Sequence, residues 1–138
     1  MKNLTTAIFA KCAVGSDLYN DVAGRLFNGR APEGAEYPYV VFLLVSDMPE
    51  KTYTEDFENV IIQFSLFSST IYDTTEIEDM FTHLKALYDE CSFEITDSTL
   101  IWMKRENATL MVEDHTTPAG TVQVWHYAVD YSIMTSLD

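Results

Sequence analysis

Apolar spacing divides this chain into strand-like and helix-like stretches. The densest is residues 38–49, Pro-Tyr-Val-Val-Phe-Leu-Leu-Val-Ser-Asp-Met-Pro, where Tyr39 through Val45 form an unbroken apolar run fenced by proline. A run this short cannot cross a bilayer, which needs about 20 apolar residues. Its β-branched and aromatic content, without alternation, predicts a strand covered on both faces, in the middle of a sheet with helices on at least one side. Residues 58–68 alternate instead. Val60, Ile62, Phe64 and Leu66 make an apolar face, and Ile61, Gln63, Ser65 and Phe67 a mixed one, so a second strand is predicted there. The two strands pair as a long hairpin whose tip is residues 47–57, a polar and acidic segment with neither helical nor strand periodicity.

Helical spacing occupies residues 4–14, with Leu4, Ile8 and Cys12 on one stripe and Gly15 as the stop. Ser16 or Asp17 caps a second helix whose stripe is Leu18, Val22 and Leu26, ended by Gly29. Residues 28–36 carry Gly29, Pro32 and Gly34 and form a loop into the apolar strand. The strongest helix begins at Thr75, which makes a capping box with Glu78. Ile77, Met80, Phe81, Leu84, Leu87, Tyr88 and Cys91 share its apolar face. Glu76, Glu78 and Asp79 fall in the first turn, where the helix macrodipole favours carboxylates. At ~1.5 Å per residue such a helix is about 25 Å long and covers one side of the sheet.

Residues 100–106, a short partner or continuation at 109–113, and residues 121–135 close the chain as strands. In the last, Trp125, Tyr127, Val129, Tyr131 and Ile133 alternate with Val124, His126, Ala128, Asp130 and Ser132. One face is aromatic and the other small or polar, which predicts a less covered side. No repeat or linker splits the chain. The pattern is one α+β domain: a single mixed or mainly antiparallel β-sheet with an N-terminal helical lead-in and one long amphipathic helix packed on it.

Charge changes this picture. The 138 residues hold 22 acids against 8 bases, a formal −14. Such a surface repels phosphate backbones and anionic membranes, so neither nucleic acid nor membrane is expected as a ligand. Cys12 and Cys91 have no metal or redox spacing and are expected to be reduced thiols in an intracellular protein. Lys11 interrupts the first apolar stretch and no small-residue cleavage site follows, so no secretory signal is expected.

Candidate chemistry is sparse. There is no Gly-x-Gly, no Gly-Lys-Ser/Thr, no Gly-x-Ser-x-Gly and no His-Glu-x-x-His. Glu113-Asp114-His115 is expected on a solvated turn, its side chains diverging. His83, among Asp79 and Glu90, is expected on the surface, and His126 lies about 13 Å along its strand from Asp130. The Trp125, Tyr127 and Tyr131 stripe lacks the basic flanks of a base-stacking sheet and is expected to pack in a core or interface. Lys104-Arg105, followed by Glu106, is strand-edge charge. No catalytic, cofactor-binding or metal-ligating residue is assigned, and no enzyme is expected.

The one candidate functional element is the 47–57 segment. Hairpin connections usually take two to five residues, and longer ones are commonly functional. Met48, Tyr53 and Phe57 give it apolar anchors among Asp47, Glu50, Lys51, Glu55 and Asp56, held out from a rigid strand pair. That composition suits burial against a partner.

The order of segments carries a resemblance. Gly24-Arg25-Leu26-Phe27 leads to Arg30-Ala31-Pro32, then Tyr37-Pro38-Tyr39-Val40-Val41-Phe42, then Glu58 through Ser68, a capped amphipathic helix, and Trp125 through Ile133. This succession resembles the tail-completion proteins of long-tailed bacteriophages, also called tail terminators or head-to-tail joining proteins, over about residues 4–135. The resemblance implies an α+β fold and a structural role at the head–tail junction of a virion. It implies a ring, usually a hexamer, that caps the tail tube and ends its polymerisation. The partners implied are further copies of the chain, the tail tube protein and the head connector or neck protein. DNA would pass through the ring without specific binding, and no cofactor is implied. The acidity and an added loop at residues 116–120 depart from the family. A neck adaptor or minor capsid protein, or an acidic regulatory or ligand-binding α+β domain, are the alternatives left open by the residues.

Overall fold

The alternation in residues 58–68 is what the fold is built on: Val60, Ile62, Phe64 and Leu66 are all fully buried. A computed structural model describes residues 2–13 and 15–137. In chain order the elements are α1 (Lys2–Lys11), α2 (Asp17–Val22), β1 (Leu26–Asn28), β2 (Tyr39–Lys51), β3 (Asp56–Ser68), α3 (Thr75–Tyr88), β4 (Ser98–Thr117) and β5 (Gly120–Leu137). The strands form one sheet in the order β1-β2-β3-β5-β4. It is mixed, because β1 runs parallel to β2 while the other neighbours are antiparallel. The α+β class and the single sheet are as the sequence predicts.

The helices cover one face. Ile77, Met80, Leu84 and Tyr88 of α3 are buried there, with the Tyr88 ring 4.8 Å from Phe64 and the Phe64 ring 5.5 Å from Tyr131. The Tyr88 hydroxyl donates to the Ile8 carbonyl at 2.7 Å, tying α3 to α1 and satisfying a phenol that has no water to turn to.

The apolar run corrects one expectation. β2 is not the central strand, and only half of its run is covered on both sides. Val40 and Phe42 are fully buried beneath the helices, whereas Leu43 and Val45 are 47% and 56% exposed. Leu43 projects from the face opposite to the helices, and β1 pairs only with Val40 to Phe42, so the outer edge is open as well. Beyond that point no described strand lies on the outer edge of β2.

Element ends also differ from the pattern. Ser16 caps α2, its hydroxyl accepting from the Tyr19 amide at 3.2 Å. The helix then stops at Val22, because Ala23 and Gly24 take positive φ of 50° and 78°. A Cβ at Gly24 would sit 2.9 Å from the Tyr19 hydroxyl, so the joint needs glycine on two counts. Leu26 consequently opens β1 and does not extend the α2 stripe. α1 ends at Lys11, and Val14, expected in that helix, lies outside the described residues.

In α3, Thr75 is inside the helix and makes no capping box. Asp73 accepts from the Thr75 amide at 3.0 Å and from its hydroxyl at 2.8 Å, while Thr74 donates to Glu78 at 3.2 Å. The helix ends at Tyr88, which leaves Cys91 beyond it. Residues 109–113 continue β4, and the expected loop at 116–120 is the end of the β4–β5 ladder, where Thr116 pairs with Thr121 and Thr117 with Gly120.

Candidate functional site

The helix-free face of the sheet holds two grooves separated by a polar strip. The first follows from topology. Parallel neighbours β1 and β2 require the chain to travel back between them, and residues 29–38 make that return across the helix-free face. Under this loop lies a groove of about 550 Å³ floored by Tyr39, Val41, Ser65 and Phe67. Ring contacts run from Tyr37 to Tyr39 at 5.1 Å, on to Phe67 at 5.0 Å, and from Phe67 to a stacked His126 at 4.4 Å. Burial above all pushes the Tyr39 hydroxyl up to about 12, with the Tyr37 phenol adding to it.

Glu113-Asp114-His115 is not a solvated turn. It lies in β4, whose alternation sends Glu113 and His115 to one side and Asp114 to solvent. The Glu113 carboxylate accepts from His126 Nδ1 at 2.7 Å and from His115 Nε2 at 3.1 Å, and His115 Nδ1 meets the Tyr37 hydroxyl at 2.8 Å. Burial alone would raise the Glu113 carboxyl, but the hydrogen bonds from His126 and His115 outweigh it and hold the group below the ordinary value. His126 Nε2 is buried without a hydrogen-bond partner. The arrangement ties β4, β5 and the 29–38 loop together. Among the described residues no three His, Cys, Asp or Glu side chains are set to hold a metal ion.

The polar strip comes next. Gln63 Nε2 donates to Asp130 at 2.9 Å, and the Ser132 hydroxyl donates to Asn59 at 3.2 Å. Asp130 therefore has Gln63 as its partner and does not serve His126.

The second groove is at the β2–β3 hairpin, where the expected 47–57 loop is corrected. The ladder continues through Asp47, Met48, Glu50 and Lys51 in β2 and through Asp56 and Phe57 in β3, with Glu50 opposite Phe57 and Lys51 opposite Asp56. Only residues 52–55 form the turn, closed by the Thr52 amide donating to the Glu55 carbonyl at 2.9 Å. The segment lacks apolar alternation because neither side of this arm lies over the core, not because it is unpaired. Charged residues and Pro49 on its outer edge suit a strand left open there. Met48 is 58% exposed and Tyr53 fully so at the turn. Phe57 is half-buried and, with Ile101, Trp102 and Met134, floors a groove of about 600 Å³ rimmed by Glu50, Lys51 and Glu55. Sequence reasoning missed Ile101 and Trp102. Strict alternation would put them on opposite faces, but the β4–β5 register shifts between Leu100 and Trp102, and this bulge brings both into the groove.

Away from this face, His83 is not isolated on the surface but hydrogen-bonds Asp21, joining α3 to α2. Arg105 pairs with Asp89 at 3.2 Å, and Asp89 also accepts from the Tyr131 hydroxyl at 2.5 Å. Cys12 and Cys91 are free thiols, both pushed up chiefly by burial. The hydrogen bond to Asp21 is the main reason the His83 imidazole is raised above its ordinary value, against some burial. A raised group favours the charged form in the fold, so its contribution is complete below the unfolded imidazole range near pH 6.5 and is lost as pH rises through the folded value. Urea titrations of the wild type and His83→Gln should therefore differ by about 0.5 kcal/mol near pH 5.5 and converge at alkaline pH. A difference that grows between pH 6 and 9 would contradict the pairing.

Among curated proteins no sequence matches the chain. Among solved structures, a chain from the virion of a native gene transfer agent particle is similar in fold: TM-score 0.66, 9% sequence identity, and 96% of each chain covered. A model of the family described as tail completion protein gp17 matches residues 6–136. The chain therefore belongs to the tail completion protein gp17 family, virion proteins with a structural part in the phage tail.

Proposed function

We propose that copies of this chain close into a ring, six in number, on the end of the tail tube. There the ring ends tail polymerisation and joins the tail to the head connector, and the β2–β3 hairpin is a contact element for a neighbouring protein. The observation that carries the docking role is the hairpin arm itself. It is a hydrogen-bonded extension of the sheet that leaves Leu43, Val45 and Met48 exposed along a strand with an open outer edge, and Tyr53 exposed at its turn. A rigid element that exposes apolar side chains is suited to burial on a partner. The net −14 supports a ring through which DNA slides without sticking, because few lysines and arginines are present to neutralise phosphates.

The test is to replace residues 51–56 with a short Gly-containing turn in a phage that carries this gene. The ladder from Glu50 opposite Phe57 inward is untouched, so the chain should still fold. Electron micrographs should show tails of uncontrolled length or tails without heads, with infectious titre down by orders of magnitude. Normal titre and normal tails would overturn the docking role of the hairpin.

A further inference from the structure

We propose that neighbouring copies join edge to edge, with residues 43–48 of β2 in one copy pairing antiparallel with residues 107–111 of β4 in the next. This rests on the reading of the protein as a ring, and it names the surface through which the ring closes.

Both edges lack a partner strand. β4 ends the sheet order, and β1 covers β2 only at Val40 to Phe42. Open edges are normally guarded by charge or proline. Of the 138 residues 22 are acids, yet Asn107-Ala108-Thr109-Leu110-Met111-Val112 carries no charge, and residues 43–48 carry only Asp47. The guards stand at the ends of these windows instead. Lys104, Arg105 and Glu106 precede the one in β4, Glu113 and Asp114 follow it, and Pro49, Glu50 and Lys51 follow the one in β2. Leu43, Val45, Met48 and Val112 are each about half exposed. Long edges left uncharged where their side chains are apolar suit strand addition.

Strand direction agrees. β2, β3, β5 and β4 alternate in direction, so a next copy's β2 brought beside β4 by rotation is antiparallel to it. Rotation also keeps the helices of both copies on one side of the joined sheet. The two edges differ, so the contact is head-to-tail, the kind that closes a ring.

Matching faces sets the register. With Val45 and Glu106 left out at the bulges, Leu43 meets Met111, Leu44 meets Leu110, Ser46 meets Thr109, Asp47 meets Ala108 and Met48 meets Asn107. Further on, Glu50 comes beside Lys104 of the next copy, opposite charges on the helix-free side. The ladder ends there, because the Glu90 amide already holds the Met103 carbonyl at 2.9 Å. Within one copy Leu43 shares a row with Gln63, Asp130 and Asn107. Moving its partner from Asn107 to Met111 shifts each copy by about 13 Å along the strands, against a four-strand width of about 19 Å. The strands then tilt about 35° from the ring axis, as in closed barrels.

Disulfide trapping in assembled particles of a phage that carries this gene tests this. Ser46 is half-buried and Thr109 exposed, both on the helix-free side. Directly opposed strand residues have Cβ atoms about 4.5–5.5 Å apart, close enough for oxidation to join cysteines there. After oxidation, Ser46→Cys with Thr109→Cys in one chain should give a ladder of multimers reaching six on non-reducing gels. Met48→Cys with Asn107→Cys, a second opposed pair at exposed positions, should do the same. Either substitution alone should stay at the wild-type background set by Cys12 and Cys91. Ser46→Cys with Thr116→Cys, far along β4, should give a ladder about tenfold weaker or none. Unchanged urea midpoints under reducing conditions would show that the variants fold.

A dimer from a single variant would mean that like edges meet and would overturn the proposal, as would equal ladders from the Thr109 and Thr116 pairs. Glutaraldehyde treatment of the same particles separates the two readings. Multimers with glutaraldehyde but none from either opposed pair would overturn the edge contact and leave the ring. A chain that stays single under both treatments would overturn the ring as well.

Discussion

Phe64→Ala should cost about 3–5 kcal/mol, a large part of the stability of a domain this size. Phe64 is fully buried on β3, a strand with two long neighbours, and its ring lies 5.9 Å from Phe42, 4.8 Å from Tyr88 and 5.5 Å from Tyr131. Truncation removes the ring from the junction of β2, β5 and α3. Ladders on both sides hold the β3 backbone in place, so the cavity cannot close by collapse. Urea denaturation should show a lower midpoint with an unchanged slope. A loss under about 1 kcal/mol would mean that α3 does not pack on this face as described.

Glu113→Ala should cost about 1–2 kcal/mol at neutral pH, and Glu113→Gln clearly less. With alanine, His126 loses its one partner at Nδ1 while Nε2 already has none, and its side chain is only 13% exposed. Glutamine can keep both contacts. Its carbonyl accepts from His126, and its amide donates to His115 Nε2, provided that the His115 proton moves to Nδ1 and the Tyr37 hydroxyl turns to accept. Because the folded Glu113 carboxyl is held below its ordinary value, its contribution is present above the unfolded carboxylate range and lost as pH falls through the folded value. The gap between wild type and Glu113→Ala should therefore narrow below about pH 4. Equal losses for alanine and glutamine would show that the two histidines do not depend on the carboxylate as hydrogen-bond acceptor.

Much of the fold was legible in the sequence where side-chain direction follows directly from backbone period. The alternation of Val60, Ile62, Phe64 and Leu66 marked the buried face of β3, and the spacing of Ile77, Met80, Leu84 and Tyr88 marked that of α3. Ser16 before Asp17 marked a helix start because a hydroxyl there can take an orphan amide of the first turn. The order of these segments was also enough for a resemblance to tail-completion proteins, and the family match over residues 6–136 agrees with it.

The candidate site was less legible. Residues 47–57 were distinguishable as a functional candidate by composition, but their pairing was not, because a strand arm clear of the core carries no alternation to betray it. Phe57 was expected as a loop anchor and lies instead in β3, on the floor of a groove whose other walls come from β4 and β5. Which strand is central, and how far the edge of Tyr39 through Val45 is paired, depended on β1, a three-residue strand too short to show a period. Glu113, His115 and His126 were visible singly but not as a group. Their meeting depends on the β4–β5 register, and register is set by bulges at Leu100/Trp102 and Arg105/Asn107 that local pattern does not encode. Local period decides which way a side chain points. Only the pairing of distant strands decides what it meets there.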